Sequence, residues 1–300
     1  MTSDPIYVVD VFAQRRYAGN QLAVVLDSGD RTDEERLALT RETKFSEATF
    51  VTDSDPATDR YDVRIFDPIE EIPFAGHPTL GTAFVLREHV APDRPDELTL
   101  TLGVGEVPVW IETDETGVET YWMRQPAPTF GERADPDSLA RILGLSTDDI
   151  DSASPIQLVS TGLPTLIVPL TSRDALQRAA TRQPAYDREF LDGFGHTNLL
   201  VFAPEGYEEA DLSVRVFADY AGVPEDPATG SSNGCLAAYL VEHDYFETDE
   251  IDCTVEQGDE IDRPSRLHLR AARTAPDGDH GSIDVRVGGR VVPVLHGHLH

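Results

Sequence analysis

"VRIFDPIEEIPFAGHPTLGTAFVL", residues 63–86, reads as a strand, a polar loop and an apolar helix. The same order returns at 214–240 as "VRVFADYAGVPEDPATGSSNGCLAAYL". Working outward, "IYVVDVF" (6–12) and "QLAVVL" (21–26) form a hairpin pattern around Gly19 and Asn20, and "IQLVSTGLPTLIVPL" (156–170) answers it in the second half. "TDEERLALTRET" (32–43) carries helix spacing behind Thr32 or Asp33 as cap, and "SRDALQRAA" (172–180) is its counterpart. "EATFVT" is matched by "TNLLVF" (197–202). Five elements in the same order, offset by about 150 of 300 residues, point to an internal duplication.

The expected architecture is therefore α/β (α+β): two pseudo-symmetric domains, each a curved mixed sheet wrapped around a central helix. The first covers 1–126 and the second 127–283, with Pro-rich "RQPAPTF" (124–130) as linker. The closing strand near 284–300 either stays with the second half or crosses back to join the first.

Composition narrows the function. Asp and Glu number 55 against 24 Lys and Arg, a net charge of −31, spread along the chain in runs such as "DEERLAL" and "ETDEIDC". Such a field repels nucleic acid and acidic ligands, and it fits a solvated acidic surface of the halophilic kind, screened by high salt. No run approaches the roughly 18 apolar residues of a membrane span, and "MTSDPIYVVDVF" shows no secretory pattern, so a cytoplasmic protein without membrane partners is expected. Cys235 and Cys253 have neither metal-type spacing nor a disulfide framework. Cys235, inside "CLAAYL", reads as core.

Three segments place polar residues where chemistry is possible. In "FSEATFV" (45–51), Glu47 directly precedes an apolar strand, a setting in which shelter would tune a carboxylate for proton transfer. In "AGHPTLG", His77 stands at a helix start with Pro78 at the first helical position, where unpaired N–H groups attract anions. In "VPEDPATGSSNG" (223–234), Asp226 precedes a second such start, rich in hydroxyls and glycines. Each also has a structural explanation: a solvated strand end, a capping histidine, an Asp-Pro turn. No lysine completes a phosphate loop, "GVGEVP" (103–108) fails the dinucleotide fingerprint, and no GxSxG elbow surrounds Ser46, Ser231 or Ser232. His296, His298 and His300 alternate at the C-terminal end without a carboxylate or cysteine nearby, so no metal site is expected.

Taken in order, "GNQLAVV" (19–25), "FSEATFV", "RIFDPIEEIPFAGHPTLGTAFVL", "EDPATGSSNG" (225–234) and "DRPSRLHL" (262–269) resemble the PhzF-like phenazine biosynthesis isomerases. The resemblance implies the diaminopimelate epimerase-like fold, with the active site between two halves, no cofactor and a homodimer. It also implies a reaction that shifts a proton between carbons of a small carboxylate metabolite. Carried over by position, Glu47 matches the family's general acid/base and His77 and Asp226 its polar partners. Asn20, Gly76, Thr229, Gly230 and Ser231 match substrate-contacting positions. Gln21 stands where the family usually has Pro, and Ala48 where it commonly has Thr or Ser, so substrate identity is open. An epimerase or racemase using Glu47 and Asp226 as opposed bases is the alternative enzyme. A non-catalytic carboxylate-binding protein is the alternative of another class. The cysteine pair of related racemases has no counterpart in either loop.

Overall fold

The computed structural model describes residues 4–27, 29–55, 58–274 and 283–299. The chain divides into two compact units: residues up to Arg124 together with those from Gly288 onward, and Gln125–Val287.

In the first unit the elements run β1 (Pro5–Val11), β2 (Asn20–Leu26), α1 (Asp33–Thr43), β3 (Ala48–Asp55), β4 (Arg60–Phe66), the short β5 (Glu71–Ile72), α2 (Gly76–His89), β6 (Glu97–Leu102), β7 (Gly105–Thr113) and β8 (Glu119–Arg124). β1 and β2 pair antiparallel, β2 and β3 parallel, β3 and β4 antiparallel, β4 and β6 parallel, and β6, β7 and β8 follow antiparallel. Helix α1 starts where the sequence places it, because the Thr32 hydroxyl accepts from the Glu35 N–H while Glu35 reaches back to Thr32. Its Leu37 and Leu39 pack on Ala23, Val25, Ala48, Phe50 and Phe66.

Helix α2 is apolar nearly all round, as a helix inside a wrapped sheet must be. It touches β1, β2, β3, β6, β7 and β8. Such close approach needs a missing side chain: a Cβ on Gly81 would lie 2.6 Å from Leu22 Cδ2 and 2.8 Å from Val11 Cγ2.

The second unit repeats the scheme after β9 (Thr129–Arg133) and α3 (Pro136–Leu143), with β10 (Gln157–Ser160), β11 (Pro164–Pro169), α4 (Arg173–Arg178), β12 (Asn198–Ala203), β13 (Leu212–Ala218), β14 (Val223–Asp226), α5 (Gly230–Glu242), β15 (Glu250–Gln257) and β16 (Ser265–Arg273). β10–β11 is antiparallel, β11–β12 parallel, β12–β13 antiparallel, β13–β15 parallel and β15–β16 antiparallel, pair for pair the ladder of the first unit. Helix α5 takes the part of α2 and touches β10, β11, β15 and β16.

Three details differ from the sequence reading. α2 begins at Gly76, so Pro78 is its third residue; its missing N–H still falls among the first four, which have no partner inside a helix. Thr129 and Phe130, read as linker, open β9, which pairs with β10. The closing stretch forms two strands, β17 (Ile283–Gly289) and β18 (Val291–His298), and β18 runs antiparallel to β1 inside the first unit. Among the described residues no helix is long and apolar enough to cross a membrane.

Candidate active site

In the first unit, β2 begins at Asn20, β3 follows directly on Glu47, and α2 begins one residue before His77. The parallel β2–β3 register sets Ala23 beside Ala48, bringing these two strand starts to one end of the sheet. Thr49 Oγ1 and Thr82 Oγ1, 2.8 Å apart and fully buried, tie β3 to α2. The result is a short chain of contacts. Ser46 Oγ donates to Asn20 Oδ1 at 3.2 Å, and Asn20 Nδ2 lies 3.2 Å from His77 Nδ1. His77 Nε2 in turn lies 3.5 Å from Glu47 Oε2.

With Asn20 Oδ1 accepting from Ser46, the Asn20 NH₂ faces Nδ1 of the ring, and Nε2 faces Glu47. Burial pushes the imidazole down to about 3, opposed more weakly by a hydrogen bond with the Gln21 backbone. At neutral pH His77 is therefore uncharged, and its contact with Glu47 is not an ion pair. The His77 side chain is 4% exposed and that of Glu47 18%, so the carboxylate is the one of the pair that can meet a substrate. Gly76 is buried at the helix start. No side chain caps this start and its first turn holds no acid, which leaves its positive end to an incoming anion.

In the second unit, Asp226 ends β14 opposite Val216 of β13. Thr229 is the residue before α5, and its hydroxyl donates to Asp226 Oδ2 at 2.5 Å. Gly230 and Ser231 open the helix, again with no side-chain cap and no acid in the first turn. Ser232 faces inward to Thr165 Oγ1 and Asn198 Nδ2, both at 3.0 Å, a structural role. The duplication is unequal in its chemistry. Glu47 precedes Ala48, which pairs with Ala23; the equivalent pair, Asn198 with Thr165, is preceded by Thr197. The residue in the place of His77 is Ser231, second in its helix.

Asn20, expected from the resemblance to contact substrate, is 1% exposed, and its amide serves His77 and Ser46. Thr49, Thr82 and Gln257 carry no motif in the sequence, and Ser46 enters there only as a serine without a nucleophile elbow; "GN" and "EQG" beside strands are the local signal. Cys235 is fully buried with its thiol pushed up by desolvation, and burial pushes Cys253 up to about 12, so neither is prepared as a thiolate base. Among the described residues no group of His, Cys, Asp and Glu is arranged to hold a metal ion. His296 lies in a stacked arrangement with Tyr7, ring centroids 6.4 Å apart, and His300 lies outside the described residues.

A probable proline racemase of Agrobacterium radiobacter has a similar structure, with a TM-score of 0.63 covering 99% of this chain and 93% of that one; at 13% identity the likeness is one of fold. The fold is therefore the diaminopimelate epimerase-like fold that racemases and epimerases share. The phenazine biosynthesis-like protein family matches residues 9–297, and the chain belongs to it. It is similar to trans-2,3-dihydro-3-hydroxyanthranilate isomerase of Pseudomonas aeruginosa, 36% identical over 264 residues, 88% of this chain and 89% of the relative. A phenazine biosynthesis protein of the PhzF family from Bacillus anthracis has a TM-score of 0.89 at 29% identity, covering 100% of both chains. With isomerases as its relatives, the protein is an isomerase.

Proposed function

We propose that this isomerase moves a proton between carbon atoms of a small carboxylate substrate, with Glu47 as the group that removes and returns it. The observation that carries this reading is the half-sheltered Glu47 carboxylate 3.5 Å from an imidazole that burial keeps neutral. A neutral ring leaves the carboxylate's charge uncompensated, so Glu47 remains able to take a proton.

The substrate carboxylate docks on N–H groups at the uncapped start of α2, at Gly76, beside His77 and Glu47 of the same unit. Loss of a proton from carbon leaves an electron pair that delocalises toward the carboxylate, where those N–H groups stabilise it. Glu47, now protonated, delivers the proton to a second carbon, and Asp226 with Thr229 takes the polar partner's role that the family resemblance implies. The step needs only side-chain and backbone groups, consistent with the cofactor-free chemistry that the family resemblance implies. The Pseudomonas relative is named for an anthranilate-type ring carboxylate, which makes that compound the first probe. Gln21 and Ala48, which depart from the usual family residues, argue for screening other small carboxylates beside it.

The test is turnover followed by NMR in heavy water at high salt. Wild-type protein should convert a carboxylate probe with solvent deuterium appearing at the carbon that gains the proton. Glu47→Gln should fold, bind, and lose about 10²–10⁴-fold in kcat. Full turnover by folded Glu47→Gln overturns the reading. Deuterium at the α-carbon with inversion of configuration selects an epimerase instead, and binding without exchange or conversion selects a non-catalytic protein.

A further inference from the structure

The loop that carries Asp226 is held by a residue 31 positions further along the chain. Gln257, the last residue of β15, is 1% exposed and uses both ends of its amide. Its Nε2 donates to the Asp226 carbonyl at 2.8 Å and to Thr229 Oγ1 at 3.2 Å. Its Oε1 accepts from Asn233 Nδ2 at 2.8 Å and from the Thr229 N–H at 3.2 Å. The next residues clamp the same loop. Gly258 has φ +84°, and a Cβ there would lie 2.6 Å from the Pro227 carbonyl, while Ser265 Oγ shares its proton between that carbonyl at 3.0 Å and the Arg263 carbonyl at 2.9 Å.

The direction of these bonds matters more than their number. A threonine hydroxyl has one proton. Because Gln257 approaches Thr229 Oγ1 as a donor, that proton is free to go elsewhere, and it goes to Asp226 Oδ2. We propose that Gln257 is a positioning residue for the isomerase site: by donating to Thr229 Oγ1 it commits the hydroxyl proton to the Asp226 carboxylate, fixing the carboxylate's orientation and charge. The first unit also sets a buried amide against a site residue, Asn20 Nδ2 lying 3.2 Å from His77 Nδ1.

The consequence for catalysis rests on Asp226 acting in the site as proposed above, and the experiment separates the two claims. The carboxyl titration of Asp226 is followed by ¹³C NMR in the full-length protein, assigned by its loss in Asp226→Asn. Thr229→Val removes the hydrogen bond to the carboxylate and should move the titration upward. Gln257→Met keeps the length of the side chain and adds no charge but withdraws the donor, so it should move the titration in the same direction, and Gln257→Met combined with Thr229→Val should move it no further than the larger single change. Thr229→Ser, which keeps the hydroxyl, should titrate like wild type and serves as the folding control. An unshifted titration in folded Gln257→Met, or fully additive shifts, overturns the positioning role. Should Gln257→Met not fold, an unshifted titration in Thr229→Val overturns it equally. In turnover of trans-2,3-dihydro-3-hydroxyanthranilate, Gln257→Met should lower kcat about 10-fold or more with KM changed far less. Undiminished turnover in Asp226→Asn would sink the catalytic role of Asp226 alone, leaving the titration result to stand on its own.

Discussion

His77 Nε2 faces Glu47 Oε2 across 3.5 Å, and the ring is neutral because it is buried. The separation is longer than a formed hydrogen bond and able to tighten when substrate fills the site. The arrangement depends on Asn20, the residue on the other side of the ring.

Asn20→Asp should change that ring. A carboxylate at position 20 would face Nδ1 while Glu47 faces Nε2, and two flanking negative charges favour the imidazolium. His77 should then titrate well above its wild-type value of about 3. An NMR titration of the His77 ring checks this, and turnover should fall at least on the order of 10-fold, since the neutral ring has become one half of an ion pair. An unmoved titration would show that Asn20 does not govern the imidazole.

The same histidine makes stability depend on pH. Its folded value of about 3 lies below the ordinary 6.5, so between them the unfolded chain binds a proton that the native state refuses. Stability from this group is intact above about 6.5 and is lost as pH falls toward 3, with a slope approaching ~1.4 kcal/mol per pH unit. His77→Gln removes the effect. Its stability between pH 7 and 4.5, from urea unfolding, should fall less steeply than that of wild type, and parallel curves would contradict the assignment.

Gly81→Ala probes the wrapped helix. The added methyl would meet Leu22 Cδ2 at 2.6 Å and Val11 Cγ2 at 2.8 Å, both on strands that pack against α2. Overpacking of this kind costs about 1–3 kcal/mol, and chemical denaturation should read a loss in that range despite alanine's better helix propensity. A stabilised variant would mean that the helix is less closely enclosed.

The net charge of −31 should make the protein salt-dependent. Self-repulsion among carboxylates is felt over about 10 Å at 0.1 M salt and about 3 Å at 1 M. Tm should therefore rise with KCl from 0.1 M into the molar range. A flat or falling curve would remove the case for a surface suited to high salt.

Much of the fold was legible because it is written twice. The alternation of "VRIF" and "VRVF", and the small apolar helices behind them, are local signals, and a duplicated order is hard to produce by accident. Thr32 with Glu35 marked the start of α1 for the same local reason. The home of the last strand was not legible, since Pro5–Val11 pairs with Val291–His298 from the far end of the chain. Nor was the start of β9, whose "TF" sits inside a Pro-rich run and becomes strand only through β10.

The two-unit α/β plan, the acidic composition and the short segments that hold Glu47, His77 and Asp226 are readable from periodicity, residue counts and neighbouring residue types. How these groups are tuned depends on contacts that folding alone creates. Asn20 and His77 are 57 residues apart, and Gln257 and Asp226 are 31 apart. A buried ring takes its tautomer, and a hydroxyl its direction, from whichever partner folding places within about 3 Å.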